Sequence, residues 1–371
     1  MGTGVGSGVA RTAWVRWTAW TAGVLALVLL AAWIWWRESD TGNRWRFEET
    51  MKTFCGGLLA HEKSSLFEGL QPHTSLANDR SVARDAQYCQ VNRTEVTVAL
   101  LRAEDNEFRD WEEVLPSFGG SLLPVSLTGG WRGAADGGSV RVLLGCRGTD
   151  DVVAVTIGSY LSMTSSEEDT ERRARKDGWL DGDLYWARFA TATAVKASAR
   201  WGCEAEKGDA VRSLPAVRGD STSTAAAKGT CAGLPFGRDE RLDTVWETGT
   251  SAAAVYERCE VGAYHYFDER YEFTARFGPY AWKARGDSRG GSLVESREAA
   301  GADARGQWAS ARCPGHSGRA LFTGHVPVEA ATVWLPGEKG EETFGLPAFR
   351  EFAERSAKRH GCTDLRLPPA G

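Results

Sequence analysis

The tetrapeptide Cys55-Gly56-Gly57-Leu58 returns in the second half of the chain as Cys231-Ala232-Gly233-Leu234. Three more cysteine signatures recur in the same order: Cys89-Gln90-Val91 and Cys259-Glu260-Val261, Cys146-Arg147-Gly148 and Cys313-Pro314-Gly315, Gly202-Cys203 and Gly361-Cys362. All eight cysteines of the 371-residue chain belong to this pattern. The pattern predicts two homologous copies of one domain of about 150 residues.

The hydropathy pattern predicts that both copies are α+β domains, each an antiparallel sheet with a closing helix. We place the first repeat domain at residues 44–206 and the second at residues 229–367. A Gly-, Ser- and Thr-containing segment with little apolar periodicity predicts a linker at residues 207–228. In each repeat the closing helix is followed by a glycine, Gly202 or Gly361, which is typical of a left-handed residue at a helix C-terminus.

A hydrophobic segment precedes both repeats. Residues 17–36 contain no charged side chain, and at about 1.5 Å per residue they can cross a hydrocarbon core of roughly 30 Å. Tryptophans gather at both ends, where amphipathic rings favour the headgroup level. The segment lacks small residues one and three places before any cut near Ala32, so it predicts an uncleaved transmembrane helix rather than a signal peptide.

The cysteines indicate the orientation of this helix. An even cysteine set without a C-x-x-C pair favours disulfides over a zinc site, and disulfides persist outside the reducing cytoplasm. We therefore expect residues 1–16 to form a cytoplasmic tail, with both repeats on the extracytoplasmic side of the cell membrane. The lipid bilayer is then a partner through residues 17–36.

More than one disulfide connectivity fits four cysteines per repeat. The first cysteine opens each repeat and the fourth ends it, so a bond between them would hold the closing helix against the start. On this ground we expect bonds between the first and fourth and between the second and third cysteines. The expected pairs are Cys55–Cys203, Cys89–Cys146, Cys231–Cys362 and Cys259–Cys313.

The composition is rich in Arg, Ala, Gly and Trp. With the hydrophobic segment, Cys-Gly-Gly-Leu, the segment from Leu123-Pro124-Val125 to Gly133, and Leu143-Leu144-Gly145-Cys146, the chain resembles uncharacterised membrane-anchored or secreted proteins of actinobacteria. The resemblance covers most of the chain. It implies an envelope location and no specific activity.

The charge distribution bears on partners. The net charge is −5 with acidic and basic residues well mixed, and no basic stripe of the kind that binds nucleic acid is present in the sequence. We expect a partner in the cell envelope, either a protein or an envelope component, and neither a nucleic acid nor a cofactor.

One pentapeptide suggests an enzyme. Gly286-Asp287-Ser288-Arg289-Gly290 matches the G-x-S-x-G pattern of a hydrolase nucleophile, and His316, His325 and His360 follow it. The surrounding residues are rich in Gly, Ser and charge, which indicates a loop rather than the strand and helix that this motif requires. A surface serine hydrolase using Ser288 is therefore the alternative to a non-enzymatic binding module, for which we assign no catalytic residue.

Metal sites are not favoured. His316 and His325 lack the spacing of known histidine metal motifs. Asp177, Asp181 and Asp183 could bind calcium, but they do not form an EF-hand loop, and a solvated loop fits them better.

Ten tryptophans lie outside the hydrophobic region, and exposed ones would suit sugar stacking. Core filling is the simpler interpretation, and we expect it for Trp186 and Trp308.

Overall fold

The structure, a computed structural model, describes residues 8–102, 114–118, 122–159, 181–216, 221–236, 242–262, 270–286, 299–303, 306–316, 318–325 and 344–369. Its helices are α1 (Gly8–Glu38), α2 (Asp40–Met51), α3 (Asp181–Arg200), α4 (Pro279–Gly286) and α5 (Gly345–Arg359). The strands of the first half are β1 (Leu76–Ala83), β2 (Ala86–Val91), β3 (Thr94–Leu101), β4 (Val125–Ser126), β5 (Gly133–Ala135), β6 (Ser139–Gly145) and β7 (Val152–Ser159). Those of the second half are β8 (Thr222–Ser223), β9 (Thr244–Glu247), β10 (Tyr256–Gly262), β11 (Tyr271–Arg276), β12 (Gly301–Asp303), β13 (Gly306–Arg312), β14 (Arg319–His325) and β15 (Thr363–Arg366).

The chain forms two compact units, Met1–Thr53 with Gln71–Thr74 and Phe54–Leu70 with Ser75–Gly371. The first unit contains α1 and α2. Within α1, Trp20–Glu38 is 19 residues long with a mean hydropathy of 1.5, and its side chains are exposed. This helix is long and apolar enough to cross a membrane, as the sequence predicted.

The chain turns sharply between α1 and α2. Ser39 is extended and its hydroxyl accepts a hydrogen bond from the Gly42 amide, which caps α2. Arg46 donates to the Arg37 carbonyl, nine residues earlier. In a straight helix that separation would be about 13 Å along the axis, so this bond requires a corner. A Cβ on Gly42 would lie 2.0 Å from the Trp36 carbonyl oxygen, so only glycine fits inside the corner.

The second unit contains two antiparallel sheets, which confirms the α+β class. The first has the strand order β1-β2-β3-β7-β6-β5-β4, and the second has the order β12-β13-β14-β11-β10-β9-β8 with β15 added beside β13. Apart from the short strands β4, β8 and β15, six strands of each sheet follow the same relative order: the first three strands side by side, then the last three reversed. Helix α3 packs on β6 and β7 of the first sheet, and α5 packs on the second sheet.

The two halves share an apolar core. Ala99, Leu143 and Ala154 of the first sheet belong to one buried cluster with Val255 and Tyr280 of the second half. Helix α4 lies between the sheets, because Tyr280 joins this cluster while Ala281 packs with Trp308 and Leu321 of the second sheet. The two predicted repeats are therefore parts of one compact unit.

The predicted linker is held against the first half along part of its length. The Asp209 amide donates to the Gly129 carbonyl at 2.8 Å, and Arg188 of α3 donates to the Val211 carbonyl at 2.8 Å. Val211 is fully buried. Residues 209–213 therefore form part of the packed structure.

All eight cysteines form disulfides within their own half, but the expected pairing is wrong. The bonds are Cys55–Cys89, Cys146–Cys203, Cys231–Cys259 and Cys313–Cys362. Cys89 lies on β2 and Cys146 directly after β6, and strands β3 and β7 separate them. With strands about 4.8 Å apart, that is roughly 14 Å, whereas disulfide Cα atoms lie within about 7 Å.

The same obstacle separates Cys259 on β10 from Cys313 after β13, because β11 and β14 lie between them. The first and fourth cysteines, Cys55 with Cys203 and Cys231 with Cys362, are each bonded to another partner, so the expected link from closing helix to start is absent in both halves.

The predicted helix ends are confirmed. Gly202 and Gly361 have φ angles of +68° and +64°. In both places the following cysteine amide donates to a carbonyl five residues earlier at 2.8 Å, from Cys203 to Ser198 and from Cys362 to Ala357. This bond is typical of the left-handed helix terminus, and it aims each cysteine at the end of the neighbouring strand.

Candidate binding site

A cavity of about 590 Å³ lies where the first sheet ends beside the second half. Its walls are residues 123–130, 215–216, 228–229 and 247–253. The first segment includes β4, the edge strand of the first sheet, and the last is the loop that follows β9. The volume is within the roughly 300–1,000 Å³ typical of small-ligand sites.

The turn after β4 is fixed by a tryptophan and two glycines. Trp131 is buried and its indole N–H donates to the Asp209 carbonyl at 2.6 Å. Gly129 and Gly130 both have φ angles of +79°, and a Cβ on Gly129 would lie 2.7 Å from the Asp209 oxygen. This first wall is therefore built from closely packed backbone.

A buried carboxylate fixes the opposite wall. Glu247 accepts hydrogen bonds from the backbone amides of Lys228 and Gly229, both at 2.7 Å, and of Cys231 at 2.8 Å. A Cβ on Gly229 would lie 2.3 Å from the Thr248 carbonyl oxygen. The Glu247 charge thus holds the start of the second cysteine signature against β9, and three amide dipoles compensate it.

The edge strand β4 presents free backbone groups to the cavity. Leu127 donates to the Gly133 carbonyl at 3.1 Å, and Ser126 is opposite Ala134 on β5. Hydrogen-bonded pairs alternate along antiparallel strands, so the Ser126 amide and carbonyl point away from β5. Within the described residues, nothing hydrogen-bonds to them. An edge strand in this condition is a template for another strand.

Lys228 supplies a positive charge at the exposed rim of the cavity. In the part of the chain that the structure describes, no carboxylate forms an ion pair with its ammonium group. Glu247 lines the same cavity, but its oxygens are already used by backbone amides. A ligand at this rim therefore meets a cation that has no ion-pair partner among the described residues.

The cavity lining has binding groups without an obvious catalytic set. It contains the hydroxyls of Ser126, Thr128 and Ser251, but none of the residues that line it is a histidine, a cysteine or an aromatic residue. Activation of a hydroxyl as a nucleophile needs an adjacent base. The arrangement therefore favours binding over catalysis.

A second polar cluster joins α5 to the second sheet. Glu257 on β10 is fully buried and accepts from the Ser356 hydroxyl at 2.6 Å and from Arg359 at 3.0 Å. His360 Nε2 lies 3.1 Å from the same carboxylate. Burial acts to raise the pKa of Glu257, but the hydrogen bonds from His360 and Arg359 outweigh it and hold that pKa below its usual value.

This cluster has the composition of a Ser-His-acid site without its geometry. In such a site the serine bonds to the histidine, whereas here Ser356 and His360 both bond to Glu257. Serine and carboxylate are inaccessible to solvent. The cluster is therefore structural: it holds the closing helix on its sheet.

His316 lies beside this cluster and beside the first half. Its ring is 5.2 Å from that of Phe277 and 6.1 Å from that of His360. Arg132 of the first half donates to the Pro314 carbonyl at 3.4 Å, next to it. Burial, followed by the charges of Arg132 and His360, lowers the pKa of His316 to about 3.

The sequence-derived enzyme candidates do not converge among the described residues. Ser288 lies outside them. His360 is buried and His316 is half-buried, while His325 is exposed at the end of β14. The described part of the chain contains no group of three or more potential metal-ligating side chains.

The candidate calcium ligands from the sequence also do not form a metal-ligating cluster among the described residues. Asp177 is outside the described residues, and Asp181 begins α3. Asp183, on the same helix, has its pKa raised to about 6 by burial and then by the charge of Asp136. Asp136 is itself occupied by Arg141 at 2.7 Å.

The tryptophans are distributed over buried and accessible positions. Trp308 is buried, as predicted, and so is Trp131, whereas Trp186 is half-buried. None of the residues lining the cavity is a tryptophan, so the rings do not supply a sugar-stacking platform there.

Sequence reasoning missed the cavity and the roles of the buried carboxylates of Glu247 and Glu257. One signal for Glu257 was present: it lies two residues before Cys259, on the strand face that carries buried Cys259 and Val261. A charge in that position is expected to have a buried partner. No local sequence pattern predicts the cavity itself, because its walls come from four separate segments.

No protein-family model, no curated protein and no solved structure matches the chain.

We expect the substitution Glu257→Gln to lower the free energy of unfolding by about 2–4 kcal/mol, because it leaves Arg359 next to an uncharged buried group. Urea denaturation of the full chain in detergent, followed by tryptophan fluorescence, measures this. The control is Glu272→Gln, since Glu272 is a partly exposed partner of Arg258 and its loss should cost less than about 1 kcal/mol. Equal effects of the two substitutions would contradict the structural role of Glu257.

We expect acid to destabilise the protein through His316. Its folded-state pKa of about 3 is below the unfolded value of about 6.5, so the folded state binds fewer protons and stability falls as the pH is lowered from 6.5 towards 3. Between pH 7 and pH 5 the wild type should lose about 2 kcal/mol more than His316→Gln. The exposed His325→Gln is the control and should follow the wild type. A wild type and His316→Gln with parallel pH profiles would refute this assignment.

Proposed function

We propose that the chain is a single-pass membrane protein whose extracytoplasmic unit binds a ligand in the cavity beside β4. The observation that carries this proposal is the cavity itself: a volume of about 590 Å³ with free backbone groups, hydroxyls and one unpaired cation. The alternative function predicted from the sequence, a hydrolase using Ser288, is supported by no contact among the described residues.

The membrane anchor rests on α1. Its apolar stretch is fully exposed, and exposed apolar surface of this length requires a partner such as a bilayer. The ring centroids of Trp36 and Trp45 lie 5.6 Å apart at the corner between α1 and α2. Aromatic rings in that position suit the membrane interface. Four disulfides support an oxidising compartment for the second unit.

Duplication of one domain explains how the cavity arose. Six strands in the same order, disulfides between the first and second and between the third and fourth cysteines, and two left-handed glycines after the closing helices support two copies of one ancestral fold. Packed together, two related domains form a cleft at their junction, which is a common location for ligand sites.

The location is tested by fractionation and proteolysis. We expect the full-length chain to remain in the membrane after carbonate extraction and to start before residue 17. Protease added to intact cells should remove the extracytoplasmic unit, because the proposal places that unit outside the cell and α1 in the bilayer. A mature chain that starts after residue 32, or complete protection from the protease, would contradict the anchor and its orientation.

The binding site is tested by filling the cavity. Gly249 lines the cavity, and a Cβ added there has no other atom within 4 Å. Gly249→Trp should therefore fold normally and place its ring in the cavity. Native mass spectrometry of the full chain, after incubation with a small-molecule extract of the cell envelope, should show bound mass on the wild type and at least about tenfold less on Gly249→Trp.

Gly158→Trp is the matched control, since a Cβ there also meets open space and Gly158 does not line the cavity. It should retain the bound mass. If the wild type binds nothing, or if Gly249→Trp binds as well as Gly158→Trp, the cavity is not the ligand site.

A further inference from the structure

We infer that the ligand is an extended peptide with a free carboxylate, whose backbone pairs with Ser126 of β4 and whose carboxylate pairs with Lys228. This inference rests on the proposed function, because it assigns a ligand class to the same cavity. Backbone geometry and charge support it separately.

The backbone argument starts from the end of the first sheet. β4 is the last strand on that side of the sheet, and Ser126 directs its amide and carbonyl away from β5. Both groups belong to a half-buried residue that lines the cavity. An extended peptide offers the matching carbonyl and amide at one residue, which is the usual mode of strand addition.

Side-chain space is available beside this edge. The cavity beside it is lined in part by small or apolar residues, such as Leu123, Leu127 and Ala253. In an extended peptide, alternate side chains point in the same direction. One side chain can therefore enter the cavity while its neighbours face solvent.

The charge argument concerns the two ionisable residues of the cavity. Glu247 accepts three backbone hydrogen bonds, so its negative charge is already satisfied. Lys228 has no acidic partner within the described residues and lies exposed at the rim. The cavity thus selects for a ligand with a negative group next to its polar backbone, and a carboxylate is the anion that peptides carry.

The lining argues against a neutral sugar as ligand. Sugar sites commonly use an aromatic face, and no aromatic residue is among the described residues that line the cavity. A peptide needs no such face, because its hydrogen bonds are made to backbone groups.

The experiment uses two pools of random-sequence tetrapeptides, one with free C-terminal carboxylates and one amidated, with the full chain in nanodiscs. Native mass spectrometry measures the retained peptide. We expect the acid pool to be retained about three- to fivefold more than the amide pool, the size of an exposed ion pair. Lys228→Gln should abolish this preference, and Lys228→Arg should keep it.

A second pair of variants tests the backbone contact. Ser126→Pro removes the outward amide without removing a ladder bond, since proline is tolerated on edge strands. It should lower retention of both pools by up to about tenfold, whereas Ser126→Ala should have no effect. Gly249→Trp should abolish retention of both pools.

The outcomes separate the two proposals. Retention of neutral oligosaccharides but of neither peptide pool would overturn the peptide assignment and leave the cavity as a binding site. Equal retention of the acid and amide pools by the wild type would overturn the role of Lys228. Peptide retention that survives both Ser126→Pro and Gly249→Trp would place the peptide elsewhere and overturn the inference. The binding of envelope-extract molecules by the wild type, Gly249→Trp and Gly158→Trp tests the cavity independently of the peptide.

Discussion

The apolar layer between the two halves is the interaction on which the rest of the second unit depends. Leu143 and Ala154 on one side and Val255 and Tyr280 on the other bury each other, and apolar burial stabilises by about 25 cal/mol per Å². Because this layer joins the halves, β4 and the loop after β9 lie on opposite walls of one cavity. Separated halves would each carry only part of this lining.

The disulfides stabilise each half locally rather than closing it end to end. Each bond joins a cysteine to the next one along the chain, with sequence separations from 28 to 57 residues. Loops of that size contribute roughly 3–4 kcal/mol in the chain-entropy model. In each half the second disulfide joins the end of the closing helix to the end of a strand in its sheet, and in the second half the buried Glu257 cluster adds to this attachment.

Glu247 and Glu257, both buried, show how similar residues take different roles. Glu257 is neutralised by side chains and is inaccessible, so it acts on stability alone. Glu247 is stabilised by three backbone amides at the wall of a cavity, so it shapes the site, while Lys228 has no ion-pair partner among the described residues. Burial and the nature of the partners, rather than residue type, decide which carboxylate bears on function.

The sequence by itself determined the apolar helix, the α+β class, the helix-ending glycines and the confinement of each disulfide to its own half, because these depend on local periodicity and on the paired signatures. It did not determine which cysteines bond, since that depends on strand order: β3 and β7 place Cys89 too far from Cys146. Nor did it reveal the cavity, whose walls come from residues more than a hundred positions apart, such as Ser126 and Lys228. Only the tertiary structure brings those residues together, because the packing of the two sheets, and no local sequence pattern, sets the distance between them.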